Sequence, residues 1–387
     1  MVDGSDATAV PYIDDGTGIE PEDIESDGQI TEPFDPTLIR VETKPMSLDA
    51  LIARIREGEL DLAPGFQRKG GIWKDEAQSR LIESILIRIP LPAFYMDATD
   101  EDRWLVVDGL QRLTTLKRFV IDQELRLKGL EFLKLHGKTF NDLPRNFQRR
   151  INETQATVYL IEKGTPPEVK FNIFKRINTG GAPLSAQEIR HALNQGKVTK
   201  FLECLANSAE FKRATDNGIR DDRMADRECV LRFLAFTIVS PTIYKAQDFD
   251  SFLSDRMAEI NQFSDQKIAD LAQQFLRTMR VAFAIFGPDA FRKRYKKDTA
   301  RYPINKALFE AWSVNINRLD DSQLQRLQEQ KDMVRERFIQ LMNKDYDFEN
   351  SISLGTGDVR KIKYRFEAIE KLIVGVLHDS YAASTQF

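Results

Sequence analysis

Histidine and cysteine are both scarce in this chain of 387 residues, which has three histidines and two cysteines. The cysteines, Cys204 and Cys229, are not spaced as zinc ligands or as a redox pair. We expect both to be buried thiols in a reducing cytoplasm. The histidines, His136, His191 and His378, are far apart in the sequence. A zinc site built from Cys and His is therefore not predicted.

Other common signatures are also absent. No apolar run approaches the length of a transmembrane helix, and the N-terminus has neither the basic start nor the apolar core of a signal peptide. The sequence contains no Walker-type phosphate loop and no G-x-S-x-G nucleophile elbow. We therefore expect a cytoplasmic protein that makes no membrane contact and is neither a P-loop NTPase nor an α/β-hydrolase.

Positive charge is missing from residues 1–36, which contain eleven Asp or Glu and no Lys or Arg. The whole chain carries −4, so the other residues together carry +7. The acidic segment is rich in Gly, Pro, Ser and Thr and lacks apolar periodicity, which predicts a disordered tail over residues 1–38. The favoured interpretation is a solubilising tail. The alternative is a nucleic-acid mimic that covers the basic body until a competitor displaces it.

Short strands and helices alternate over residues 39–195. Strands are expected at 39–44, 93–96, 104–107 and 156–161, and helices after Ser47, from about Asp75, after Gly109 and over 171–176. Ser47 is the expected N-cap of the first helix, whose apolar face is Leu48, Leu51, Ile52 and Ile55. From residue 196 onward strand signals nearly vanish, so 196–387 is predicted to be a mainly helical domain of unknown role.

The segment from Trp104 to Phe119 is the most informative. An apolar strand stops at Asp108-Gly109, and an apolar pattern of helical period follows. Glycine permits a sharp turn and close approach of a ligand, and the first helical turn offers free N–H groups. Arg112 lies there and can grip an oxyanion with two donors. The segment is a candidate phosphate site, although a plain turn with a surface arginine explains the same pattern.

A second loop stands out at 177–183, where Gly180 and Gly181 are adjacent. It precedes a complete helix start, in which Ser185 and Glu188 form a capping box and Leu184 staples to Ile189. A fixed loop with two glycines suits backbone contact with a ligand, or merely turns the chain. The run 292–297 is basic with one tyrosine; it is interpreted as a solvated helix face, with contact to nucleic-acid phosphates as the alternative.

Three motifs, taken in order, resemble one family. The first motif is 64–73, with Gln67, Arg68 and Trp73; the second is 107–116, with Asp108-Gly109-Leu-Gln111-Arg112; the third is 174–189. Together they resemble the domain of unknown function 262, the N-terminal domain of GmrSD-type, modification-dependent restriction proteins. The resemblance covers residues 40–195 and implies a relative of the ParB and sulfiredoxin nucleotide-binding fold. The expected fold class is α+β, with a small ParB/sulfiredoxin-like N-terminal domain followed by a mainly α-helical C-terminal region.

The resemblance implies a site for an NTP, with Mg²⁺ as its companion ion. Asp108 and Gln111 are the implied catalytic residues, and Asp108 either holds the metal through a water molecule or anchors the turn. Arg112 and Arg68 neutralise phosphate charge. The residues implied to contact the nucleotide are Gln67, Arg68, Gly109, Arg112, Asn178, Gly180 and Gly181.

The chain departs from the family in two places. Leu110 replaces a common glutamine in the turn, and no histidine lies between His191 and His378, so the HNH nuclease that fused members often carry is not recognisable. The leading hypothesis is a nucleotide-binding sensor, with NTP hydrolysis as its candidate activity, in a prokaryotic defence or restriction system that acts on DNA. It would work with a separate nuclease or other partner. The alternatives are a non-catalytic DNA-binding module and a ParB-like metal-dependent nuclease.

Overall fold

The computed structural model describes residues 18–22, 40–62, 73–177, 184–221, 223–245, 248–297 and 301–384. The chain divides into two compact units. The sheet unit is residues 33–193, and the helical unit is residues 194–387 together with residues 1–32. The α+β class and the mainly helical C-terminal region are both confirmed.

The sheet unit contains a mixed five-stranded sheet in the order β1-β5-β3-β4-β2. Its strands are β1 (Val41–Ser47), β2 (Leu60–Asp61), β3 (Phe94–Ala98), β4 (Trp104–Asp108) and β5 (Gln155–Glu162). The pairs β1–β5 and β3–β4 are antiparallel, whereas β3–β5 and β2–β4 are parallel. The short β2 is an edge strand, so β4 is nearly at the border of the sheet.

The sheet unit contains, among its described residues, a π-helical segment at Lys117–Ile121 and six α-helices. The α-helices are α1 (Leu48–Arg56), α2 (Asp75–Leu86), α3 (Leu110–Leu116), α4 (Arg145–Glu153), α5 (Pro167–Ile177) and α6 (Ala186–Leu193). The first four bury apolar residues with Trp104 and Val106 of β4, and α5 and α6 bury theirs with Val107. Successive strand residues point to opposite faces of a sheet, and this alternation gives the unit one core on each side.

Local capping explains where two of these helices begin. The Ser47 hydroxyl accepts a hydrogen bond from the amide of Ala50 at 3.2 Å, as expected of an N-cap. The residues that α1 buries are the four of its predicted apolar face. The capping box is also confirmed: the amide of Ser185 donates to Glu188 at 2.6 Å, and the amide of Glu188 donates to the Ser185 hydroxyl at 3.1 Å.

A buried carboxylate ties α2 to the loop before α4. Glu83 is 3% exposed, and its two oxygens accept the backbone N–H groups of Glu131, Phe132 and Leu133 at 2.9, 2.8 and 2.7 Å. Burial by itself would raise the pKa of Glu83, but the three backbone hydrogen bonds outweigh it and lower the pKa below its ordinary 4.5. The charged carboxylate therefore fixes the conformation of this loop.

Ten α-helices and one 3₁₀ turn (Gly287–Asp289) account for the regular structure described in the helical unit. The helices are α7 (Lys197–Ala206), α8 (Ala209–Ala214), α9 (Ala225–Ile238), α10 (Phe249–Asn261), α11 (Asp265–Phe286), α12 (Lys306–Asn317), α13 (Asp321–Glu329), α14 (Lys331–Lys344), α15 (Tyr346–Ser351) and α16 (Val359–Ser384). Helix α9 is buried continuously over residues 225–236 and is the centre of this unit. Among the described residues, no helix has the length and apolar character needed to cross a bilayer.

The structure corrects three expectations in this unit. Cys229 is buried as predicted, but Cys204 is exposed, because it lies on the outer side of α7. The basic run 292–297 is not a helix face: Arg292 and Lys293 turn inward and are 9% and 6% exposed. Residues 18–22, predicted to belong to a disordered tail, pack in this unit, where Ile19 is 3% exposed.

The Glu83 contact makes a testable prediction. Glu83→Gln should reduce the free energy of unfolding, because the single amide oxygen cannot accept all three N–H groups; each buried donor left unpaired costs about 1–3 kcal/mol. Since the folded pKa is lowered, the stabilisation is complete above pH 4.5 and is lost as the pH falls through the folded pKa. Denaturant titrations between neutral and acid pH measure both effects.

The control is Glu76→Gln, because Glu76 lies exposed on the same helix. We expect this variant to unfold close to wild type at neutral pH. Equal stability of the Glu83 and Glu76 variants would contradict a structural role for the buried carboxylate.

Candidate active site at the end of strand β4

The three motifs, which are far apart in the sequence, meet at the end of β4. The backbone N–H of Trp73, the last residue of the first motif, donates to the side-chain oxygen of Gln111 in the second motif at 3.1 Å. Val107, also in the second motif, shares an apolar cluster with Phe174 and Ile189 of the third. The end of β4 is therefore the place in the sheet unit where described residues of all three motifs come together, with Trp73 alone representing the first.

Gly109 makes the turn from β4 into α3 possible. Its φ of 100° and ψ of 5° lie in the left-handed region, which residues with a Cβ rarely adopt. A Cβ at this position would lie 2.3 Å from Cδ1 of Phe94, a ring that is itself fully buried. Both the backbone conformation and the lack of space therefore require glycine here.

Arg112 is turned back under this turn and is 8% exposed. Its Nη2 donates to Asp108 Oδ2 at 2.7 Å and to the carbonyl of Ala93 at 3.1 Å, and its Nη1 donates to the carbonyl of Pro92. Its guanidinium carbon lies 4.5 Å from the centre of the Phe94 ring, which allows a cation–π contact. Burial lowers the pKa of Arg112 below its ordinary value, and Asp108 partly offsets this. The guanidinium thus ties α3 to β4 and to the residues preceding β3.

Asp108 is the more accessible partner of this ion pair, with 31% of its side chain exposed. Tyr95 pairs with Asp108 across β3 and β4, and its ring stacks on that of Tyr159 with centroids 4.8 Å apart. Burial raises the pKa of Tyr95, and the neighbouring Tyr159 and Asp108 raise it further. A half-exposed carboxylate held by an arginine therefore lies beside a pair of stacked tyrosines.

The metal-ligating side chains near this turn limit the kind of metal site that it can form. In the part of the chain that the structure describes, no group of three or more His, Cys, Asp or Glu is placed to hold a metal ion. Asp108 supplies one carboxylate, of which Oδ2 is bonded to Arg112. A nucleotide-bound Mg²⁺ takes most of its ligands from phosphate and water and needs only one or two protein carboxylates. Asp108 fits that lesser role.

The predicted site residues divide into two groups. Asp108, Gly109, Gln111 and Arg112 lie together at the end of β4, and Gln111 holds the residue that closes the first motif. The other five lie outside the described residues: Gln67, Arg68, Asn178, Gly180 and Gly181. The phosphate and catalytic roles given to all nine stay predictions.

Several residues that the sequence did not single out also surround the turn after β4. Phe94 lies under Gly109, the carbonyls of Pro92 and Ala93 receive Arg112, and Tyr95 and Tyr159 stack beside Asp108. The only signal in the sequence was the position of both tyrosines in short predicted strands. Their pairing depends on the parallel register of β3 with β5.

Replacing Gly109 tests the turn. Gly109→Ala should lower the free energy of unfolding by about 2–5 kcal/mol, the sum of a left-handed backbone penalty of about 1–2 kcal/mol and overpacking against Phe94 of about 1–3 kcal/mol. Gly58→Ala is the matched control, because its φ is also positive, at 76°, but no atom lies within 4 Å of the added Cβ. Equal losses in the two variants, measured by denaturant unfolding, would show that space at Phe94 does not matter.

Comparison with known proteins agrees with the motifs. No curated protein matches the chain. The family model of the GmrSD restriction endonuclease, N-terminal domain, matches residues 48–194, which begin at α1 and end just after α6. The matched segment contains all three motifs and the site at the end of β4. Residues 48–194 of this chain thus match the GmrSD restriction endonuclease, N-terminal domain.

Proposed function

We propose that the sheet unit binds a nucleoside triphosphate and acts as the sensor of a restriction system directed at modified DNA. The observation that carries this proposal is the attachment of all three motifs to the end of β4. Ligands of open α/β sheets are commonly bound where strands end and helices begin. A site assembled from three distant segments is also typical of a pocket that encloses a ligand.

In this proposal, the contacts of Arg112 give it a different role from that of Arg68. Its N–H groups already bond Asp108 and the two carbonyls, so we infer that Arg112 is a positioning residue that acts through Asp108 and Gly109. Asp108 would then hold the Mg²⁺ that accompanies the nucleotide, and Gln111 would orient a phosphate oxygen or a water molecule. Arg68 is the arginine of the motifs that we assign to direct phosphate contact. Whether the nucleotide is hydrolysed depends on Gln111 and Asp108.

Two other functions compete with this one. A DNA-binding module without catalysis is supported by the +7 charge of residues 37–387 and by the restriction context. A ParB-like nuclease would use Asp108 as a metal ligand. Nucleotide binding in the absence of DNA favours the sensor over the DNA-binding module.

The proposal is tested by thermal unfolding of the purified protein with each of the four NTPs and Mg²⁺. A nucleotide present at about a hundred times its Kd should add roughly 2.7 kcal/mol to the free energy of unfolding. Asp108→Asn should abolish this gain, since the amide keeps an acceptor for Arg112 but loses the charge that faces the metal. Its matched control is Asp122→Asn, in which the replaced carboxylate pairs with Lys117 beyond the far end of α3. Stabilisation that survives in Asp108→Asn would contradict the role of Asp108.

Arg112 variants test whether nucleotide binding depends on this side chain. Arg112→Ala should remove nucleotide binding and also destabilise the fold, because the buried carbonyls lose their donors at about 1–3 kcal/mol each. Arg112→Lys keeps the charge but cannot bridge three acceptors, so it should bind nucleotide weakly. Wild-type affinity in calorimetry of a folded Arg112 variant would contradict both roles.

The nuclease alternative has its own test. We expect the pure protein to leave modified and unmodified plasmid intact in the presence of each NTP with Mg²⁺ or Mn²⁺, because no HNH motif is recognisable in the sequence. Cleavage that is lost in Asp108→Ala would establish the nuclease function instead. Cleavage that persists in that variant would place an active site in residues 196–387.

A further inference from the structure

An acidic segment from the N-terminus is built into the helical unit. The amide of Glu20 donates to the carbonyl of Ile304 at 2.8 Å, and the amide of Ile304 donates to the carbonyl of Gly18 at 3.3 Å. Ile19, between them, is buried in the apolar core of the unit. The segment 18–22 is therefore held by its backbone and by one apolar side chain, which sets the positions of the two glutamates that follow.

Both glutamates reach buried cations. Glu20 accepts from Lys293 at 2.7 Å and from the Asn305 amide at 3.1 Å. Glu22 accepts from both terminal nitrogens of Arg232, at 2.8 and 2.5 Å, and from the hydroxyl of Thr356. An arginine that grips two oxygens of one group, with a lysine, an amide and a hydroxyl nearby, is the donor set that proteins use for phosphate.

Among the described residues, the N-terminal segment supplies two of the four carboxylates that pair with one group of buried or nearly buried cations. The cations of this group are Arg232, Lys293, Lys306 and Arg365. The helical residues that pair with them include Glu228, which contacts Arg232 and Lys306, and Glu310, which contacts Arg232 and Arg365. Two of the carboxylates that neutralise this group, Glu20 and Glu22, thus come from the N-terminal segment. Buried charge without a partner is strongly unfavourable, so the region requires anions in their place when the segment leaves.

We propose that residues 18–22 occupy a binding site for the phosphate backbone of DNA and compete with it. Two residues of extended chain span about 7 Å, so Glu20 and Glu22 can present two negative charges at a spacing close to that of consecutive phosphates along a nucleic-acid strand. Arg232 and Lys293 are the cations that receive the two phosphates. This site belongs to the helical unit and does not depend on nucleotide binding by the sheet unit.

The test compares two double variants of the full chain with the same net charge. Glu20→Gln/Glu22→Gln weakens the competitor, whereas Glu101→Gln/Asp102→Asn removes two exposed acidic charges from the loop between β3 and β4. Affinity for a short fluorescein-labelled DNA duplex is measured by anisotropy at low salt. We expect the first variant to bind on the order of tenfold more tightly than wild type, since a tethered competitor acts at high effective concentration. The second should bind much closer to wild type.

A third variant assigns the gain to this site. Adding Lys293→Gln to the Glu20→Gln/Glu22→Gln protein should remove the gain in DNA affinity, because one of the two phosphate-receiving cations is lost. Equal DNA affinity of the two double variants, or a gain that survives Lys293→Gln, would overturn the proposal.

Thermal unfolding covers the case in which the first double variant folds poorly. Inorganic phosphate should raise its Tm more than it raises that of wild type, and chloride at equal ionic strength should not. The absence of such a phosphate effect would overturn the proposal. A specific gain in affinity for ATP without a gain for DNA would overturn the assignment to DNA.

Discussion

The need to neutralise buried guanidinium groups shapes both units of this protein. A guanidinium does not lose its proton at physiological pH, so an arginine inside a fold must find acceptors for its N–H groups and a negative charge close by. Arg112 meets this need with one carboxylate and two backbone carbonyls. Arg232, whose pKa is raised by Glu22, Glu228 and Glu310 despite its burial, meets it with three carboxylates. These two side chains therefore fix the positions of several segments that are distant in the sequence.

In the sheet unit this constraint creates the candidate site. By bonding the carbonyls of Pro92 and Ala93, Arg112 links the start of β3 to the first turn of α3, and the same guanidinium fixes one oxygen of Asp108. Gly109 can then pass over Phe94 without a side chain of its own. Arg112, which the sequence predicts to contact a phosphate, builds this turn through its own contacts. The acidic group at the end of β4 becomes the accessible feature of the motif.

Sequence reasoning was most successful where neighbours in the chain decide the structure. The cap at Ser47, the capping box of Ser185 with Glu188 and the strand that ends at Asp108 depend on contacts within a few residues, and all of them are present. It failed where burial depends on remote partners. Cys204 is exposed although its surroundings look helical and apolar. Lys293, at the start of the basic run 292–297, turns inward because Glu20, more than 270 residues earlier, receives it.

The sequence by itself determined the class of fold, the position of most elements in the sheet unit and, through three ordered motifs, the family of residues 48–194. These properties follow from apolar periodicity, capping residues and glycine, whose effects are local. The tertiary structure alone decided that Arg112 points into the protein, that Tyr95 meets Tyr159, and that an acidic N-terminal segment completes a helical core. Such choices depend on which remote group compensates a buried charge or covers a buried ring, and no local pattern encodes that partner.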